Sequence, residues 1–199
     1  MMNCGLRRTC RWYLLLVVLT CFASTAIAVE GKKALGEFGI KFGHLGGGTV
    51  EYHLKSGATG KDSIKTESSY SGGAFLSQSI WGGLHGTMTF DLHYFRGEFG
   101  GGETALDVAG GLKYKLADKS RMLSVRPAVL LGFGILPDIW AFKSSQQVTL
   151  KMVIEVAFHT EKGTGLLIEI GSLQTLSGSD GKYDIKANSM MLLRGGLIL

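Results

Sequence analysis

Met88-Thr89-Phe90-Asp91-Leu92-His93-Tyr94-Phe95 decides how the rest of the chain is read. Met88, Phe90, Leu92 and Tyr94 make one face, all apolar or amphipathic. Thr89, Asp91 and His93 make the other, polar until Phe95. Side chains of a strand alternate between its faces, so this is a strand with one greasy side and one wet side. The same alternation recurs along most of the chain. In a soluble sandwich or barrel the greasy face looks inward; in a membrane barrel it looks out at lipid.

The composition narrows the class. The chain has 199 residues, 30 of them glycine and 2 proline; 45% are hydrophobic and 19% charged. That is long enough for one domain with a sizeable core. Many glycines and few prolines suit an all-β protein with many tight bends. After the N-terminal leader no apolar run reaches the length of a membrane helix.

Residues 1–28 read as a cleaved secretory signal peptide. Arg7, Arg8 and Arg11 form a positive start, Tyr13 to Phe22 an apolar core, and Ala26-Ile27-Ala28 a small-x-small cleavage site. Cys4, Cys10 and Cys21 all lie in this leader, so residues 29–199 carry no cysteine, no disulfide and no thiol metal site. Removing the leader leaves 18 basic against 16 acidic residues, a net charge of +2. The apparent basicity is largely a leader effect and gives no reason to invoke nucleic acid.

Eight strands are predicted in residues 29–199, at about 33–45, 73–81, 85–97, 103–116, 121–135, 148–159, 164–173 and 185–199. Phe38, Ile40 and Phe42 alternate with Glu37, Gly39 and Lys41 in the first. Val148, Leu150, Met152, Ile154, Val156 and Phe158 oppose Thr149, Lys151, Glu155 and His159 in the sixth. In the last, Met191, Leu193 and Leu197 oppose Asn188, Arg194 and Gly196. Strand 73–81 is ambiguous. Either Phe75, Ser77, Ser79 and Trp81 or Ala74, Leu76, Gln78 and Ile80 face outward; the first places Trp81 at an interface and is preferred. Pro127 lies inside a strand, where a bulge or a lost ladder bond is expected. The long segment 46–69 is read as a polar connection, either a hairpin standing above the membrane, with Val50 to Leu54 as an exposed edge, or a flexible loop.

Short turns at Gly82-Gly83, Ala117 to Ser120 and Thr160 to Gly163 alternate with longer loops. Even strand number with short turns at one end is the layout of an eight-stranded antiparallel up-and-down transmembrane β-barrel. The charges decide which way the faces point. Glu37, Lys41, Asp91, Asp107, Lys113, Arg126, Lys151, Glu155, Glu169 and Arg194 all fall opposite the apolar face. An Arg or Lys facing lipid at mid-bilayer costs roughly 2–4 kcal/mol, a cost that selects such exclusion. Aromatics mark the strand ends: Trp81, Tyr114 and Phe158 near short turns, Phe42, Tyr94, Phe95 and Phe133 towards the loops. A soluble lipocalin-like barrel shares the alternation, but its surface is richer in charge.

The signal peptide, the amphipathic strands and a chain ending on its last strand resemble the small outer-membrane β-barrel proteins of the OmpA/OmpX type. The resemblance covers Gly31 to Leu199 and is architectural. It implies residence in the outer membrane of a Gram-negative cell envelope, contact with lipid and lipopolysaccharide, and handling by the outer-membrane assembly machinery as a monomer. Family members usually end in an aromatic residue; this chain ends Gly195-Gly196-Leu197-Ile198-Leu199.

The five inward acids and five inward bases, with His93 among them, are expected to pair inside a barrel just wide enough for side chains to fill. Small residues (Gly39, Gly111, Gly132, Gly171) would make room for long ones. Function then falls to structure or to surface contact with an extracellular protein through the loops, of which 46–69 and 136–147 (with Trp140 and Phe142) are the largest. A narrow passive pore or an adhesin is the alternative. Catalysis is not expected. Asp91, His93 and Ser124 invite a triad, yet a satisfied interior pair explains Asp91 and His93 better. No lipid-modifying motif surrounds His44, His53 or His159. The histidines are scattered, so no metal is implied, and neither Gly46-Gly47-Gly48 nor Gly100-Gly101-Gly102 is a phosphate loop. No cofactor is implied.

Overall fold

The computed structural model describes residues 36–54, 61–97, 102–117, 122–136, 145–160, 164–179 and 183–199. The leader, the tip of the first long loop at 55–60, the loop at 98–101 and the loop carrying Trp140 and Phe142 lie outside them. Every described element is a strand: β1 (Gly36–Leu45), β2 (Gly48–Leu54), β3 (Lys61–Glu67), β4 (Ser69–Trp81), β5 (Leu84–Gly97), β6 (Gly102–Tyr114), β7 (Leu116–Ala117), β8 (Leu123–Leu136), β9 (Ser145–His159), β10 (Gly165–Ser179), β11 (Tyr183–Ala187) and β12 (Met190–Ile198).

Eight of these close on themselves. β1 pairs with β4, β4 with β5, β5 with β6, β6 with β8, β8 with β9, β9 with β10, β10 with β12, and β12 returns to β1. Each pairing is antiparallel between neighbours in the chain order, apart from the closure of first strand on last. This is an antiparallel up-and-down ring of eight strands. Gly82 adopts φ 55° in the two-residue turn between β4 and β5, a left-handed conformation that glycine tolerates without steric penalty.

The remaining strands extend the ring rather than interrupt it. β2 pairs with β3 on one side and β11 on the other. The register of β1 with β4 runs on into β2 with β3, and that of β1 with β12 into β2 with β11. So β2, β3 and β11 make a three-stranded flap at the long-loop end. Two expectations change here. Val50 to Leu54 is not an exposed edge, because both its neighbours are in place. The stretch between the expected strands 164–173 and 185–199 is strand to Ser179 and again from Tyr183.

The ring points its apolar face outward. Ile40, Phe42, Leu92, Leu106, Leu112, Val129, Leu131, Phe133, Ile154, Phe158, Ile168, Ile170 and Leu193 are exposed, whereas the alternate positions are buried. A soluble barrel would bury this set. Trp81, Tyr114 and Phe158 are exposed towards the short-turn end, and Phe42, Tyr94 and Phe133 towards the other, with the Tyr70 ring stacked on Phe42 at 6.1 Å. Phe95 departs from the expected belt; it packs against the interior cluster.

Strand 73–81 faces the other way from the preferred reading. Phe75 is 0% exposed and Ser77 is buried, so Ala74, Leu76, Gln78 and Ile80 share the outward face. The cause is inside the barrel. The Phe75 ring lies under two ammonium groups, Lys41 at 4.8 Å and Lys113 at 4.7 Å, and takes the space left by Gly39. A cation over an aromatic face is attracted by the ring quadrupole. A register shift between Ser79 and Trp81 then re-aims Trp81, leaving it 82% exposed despite its parity.

Pro127 loses ladder rather than making a bulge. Pairing against β8 stops at Lys113–Ala128 and resumes at Leu116–Val125, while the register with β9 runs unbroken through Pro127–Ile154. Of the glycines expected to make room, Gly39 does so for Phe75. Gly111, Gly132 and Gly171 lie mainly beneath the backbone and small groups of neighbouring strands.

Ile170 sits mid-strand on the outward face of β10. Ile170→Arg is expected to destabilise the protein by about 2–4 kcal/mol in reversible unfolding from lipid vesicles. A cost near zero would mean that this face does not meet hydrocarbon.

Candidate functional site in the barrel interior

The inward parity collects the charged side chains. Lys41, Asp91, His93, Asp107, Lys113, Arg126, Lys151, Glu155, Glu169 and Arg194 are all buried, and Glu37 lies near them with its side chain 15% exposed. Each reaches the lumen because its strand is forced to present apolar groups to the outside. Asn188, placed on the same face by its parity with Arg194, is exposed instead. It lies in the break between β11 and β12, where the alternation changes phase.

Eight of these charges form one chain of alternating sign. Lys113 Nζ lies 2.6 Å from Glu155, whose other oxygen accepts from Lys41 Nζ at 2.8 Å. Lys41 also donates to Glu169 at 2.5 Å, and Arg194 grips the other Glu169 oxygen at 2.5 and 2.6 Å. Arg194 Nη1 donates to Asp91 at 2.7 Å, Lys151 Nζ to the second Asp91 oxygen at 2.5 Å, and Lys151 is also paired with Asp107. Thr149 Oγ1 donates to Asp107 at 2.6 Å. Four carboxylates thus meet four cations, and every internal member touches two partners of opposite sign.

The chain of charges crosses the lumen. Lys41 on β1 reaches Glu155 on β9, three strands away round the ring. Arg194 on β12 reaches Asp91 on β5, also three strands away. Buried charges of this kind must be compensated at close range, since taking each ion out of water costs several kcal/mol.

A second cluster lies at the short-turn end. Arg126 donates twice to the Glu37 carboxylate, at 2.6 and 3.1 Å, a fork geometry suited to arginine. Lys115 donates to the same carboxylate at 3.0 Å, and Arg126 also contacts the His159 ring. His159, read on the polar face of its strand, and Lys115 fall outside the expected interior set because both sit at strand ends. Their parity was the available signal.

The catalytic triad suggested by residue types does not form. Ser124 Oγ accepts from Arg126 Nε at 2.9 Å, within the short-turn cluster. His93 lies in the other cluster, beside Asp91 and Asp107, but neither of its ring nitrogens has a hydrogen-bond partner among the described residues, so the satisfied Asp91–His93 pair does not form either. The donor atoms of Asp91, His93 and Asp107 come within 4.8 Å of one another, close enough for a metal ion. Both carboxylates, however, are already bound by the Lys151 ammonium, which sits as their cation.

No protein-family sequence model and no curated protein matches this sequence. Its fold does match solved structures. The outer membrane protein OprG from Pseudomonas aeruginosa is 10% identical, with a TM-score of 0.52 over 83% of this chain and 97% of that one. The outer membrane protein AlkL, solved in lipid bilayers, is 10% identical with a TM-score of 0.50 over 85% and 93%. Neisserial surface protein A is 13% identical, with a TM-score of 0.46 over 81% and 96%. The closed ring, its exposed apolar face and the fold shared with OprG and AlkL make this chain an outer-membrane type β-barrel.

Glu155 is the one counter-charge shared by Lys41 and Lys113. Glu155→Gln is expected to cost about 3–5 kcal/mol, because it strands buried ammonium groups. Glu67→Gln, which removes the exposed pair with Arg96, is expected to change stability by less than about 1 kcal/mol. Equal costs in the same unfolding assay would show that the interior charges are solvated.

Proposed function

We propose that this chain is a structural outer-membrane barrel whose lumen is plugged by its own ion pairs. In this reading it carries surface contacts on the strands beyond the membrane and does not conduct solute. The observation that carries the reading is the chain of charges from Lys113 to Asp107, which joins opposite walls at ion-pair distance. Eight strands leave an interior about wide enough for side chains, so such a chain fills the bore. Residues 1–28 act as the cleaved export signal, and the outward face contacts membrane lipid and lipopolysaccharide.

A pore is the competing reading. Single-channel recording in planar bilayers is expected to give no unitary currents with refolded protein. Discrete, reproducible steps from the purified chain would replace the plug with a conduction path.

A surface-contact role has its own support. On its far side from β2, β3 pairs with β5 only at Thr66 and Glu67, and the rest of that strand carries no further ladder on this side among the described residues. Such an edge accepts an extended strand of a partner. Replacing residues 48–67 with a short Gly-Ser linker is expected to keep the heat-modifiable gel mobility of a folded barrel while abolishing adherence to host cells or matrix. Unchanged adherence would leave the structural role alone.

A further inference from the structure

Three adjacent strands change face at one level of the wall, and that level carries an inference about what each surface meets. In β1 the outward residues are Phe38, Ile40 and Phe42, and Lys41 and Leu45 point in. Past Gly46-Gly47 the apolar residues keep their even numbering but turn inward. Val50 packs against the interior cluster that includes Leu45, Ala187, Met190 and Leu192. A Cβ on Gly48 would meet the side chain of Met190, whereas one on Gly46 would meet outward Met191. β12 buries Met190 and Leu192, yet past Asn188-Ser189 strand β11 buries Ile185 and Ala187. β4 buries Ser69 and Ser71, yet past Ser68 strand β3 buries Thr66. The registers of β1 with β4 and with β12 run unbroken into those of β2 with β3 and with β11, so the change there is a turn of the sheet; against β5 the register shifts by one residue between Ser71–His93 and Glu67–Arg96.

Above the breaks the pattern is that of a soluble sheet. Val50, Tyr52, Tyr183 and Ile185 pack together, with Tyr52 edge-on to Tyr183 at 5.8 Å. Lys65, Asp184 and Lys186 are exposed on the opposite face. A sheet in hydrocarbon presents apolar groups outward; a sheet in water hides them. Between β10 and the flap the ladder lapses from Leu173–Met190 to Gly178–Ile185, so the flap is tied less firmly on that side.

We propose that the line Gly46-Gly47, Ser68 and Asn188-Ser189 is where this side of the barrel leaves the hydrocarbon. The flap β2–β3–β11 beyond it is a water-facing lid whose apolar underside seals the mouth above the charged lumen. The proposal rests on the transmembrane reading of the ring but not on the plug.

Site-directed spin labelling of the full chain in phospholipid vesicles tests it, with oxygen and a water-soluble nickel chelate present on both sides. Residues 36–199 contain no cysteine, and the unsubstituted chain supplies the background. Labels at Lys65→Cys and Lys186→Cys are expected to favour nickel over oxygen. Labels at Ile40→Cys and Leu193→Cys are expected to show the reversed ratio. A label at Ile185→Cys is expected to be poorly accessible to both until the protein is denatured. Oxygen-favoured accessibility at Lys65 and Lys186 would put the flap in lipid and overturn the assignment. High nickel accessibility at Ile185, in a variant that keeps heat-modifiable mobility, would overturn the lid. Nickel-favoured accessibility at Ile40 and Leu193 would instead overturn the transmembrane reading itself.

Discussion

Hydrocarbon offers no hydrogen bonds, and the rest of this structure depends on that constraint. Every backbone N–H and C=O in the bilayer must be met by the protein, so a sheet there can have no free edge. The pairing of β1 with β12 meets the requirement by joining the two ends of the chain of strands. Once the ring is closed, each strand has one face to lipid and one to a narrow lumen. Where the wall stands above the lipid the rule relaxes. There β3 pairs with β5 only at Thr66 and Glu67 among the described residues, and the apolar side chains of β2 and β11 turn inward.

The lumen inherits a problem from that arrangement. Among the described residues nine buried Asp, Glu, Lys and Arg side chains share the lumen with Glu37, and each must find an opposite charge. The solution is serial and not pairwise. Glu155 serves two lysines, Lys41 two glutamates and Asp91 both Lys151 and Arg194. Phe75 adds its ring face to two of these cations, which ties an apolar side chain into the polar interior.

Much of this was legible in the sequence, because lipid rejects charge residue by residue. Lys151, Glu155, Glu169 and Arg194 could each be assigned to the lumen from parity alone. The number of ring strands followed from the count of alternating segments, and their up-and-down order from the short turns. Strand 73–81 resisted because neither of its faces carries a charge; Phe75 and Leu76 are equally greasy, and the ammonium groups that attract Phe75 lie on distant strands. The changes of face at Gly46-Gly47, Ser68 and Asn188-Ser189 resisted for another reason. The apolar numbering of Val50 and Tyr52 continues that of Phe42, so alternation has no mark where its direction in space reverses. The partners within the lumen were also unreadable. Parity says that Lys41 points in, not that Glu155 and Glu169 stand opposite.

The serial ion chain has a consequence for how this protein can change over generations. A residue on the outward face answers to lipid alone, so one aliphatic side chain can replace another there without asking its neighbours. An internal residue of the chain from Lys113 to Asp107 answers to two others of opposite sign. Substitutions in the lumen are therefore epistatic, with effects that do not add. Loss of one carboxylate becomes tolerable when a lysine is lost with it. The wall can drift freely while the bore is inherited as a block.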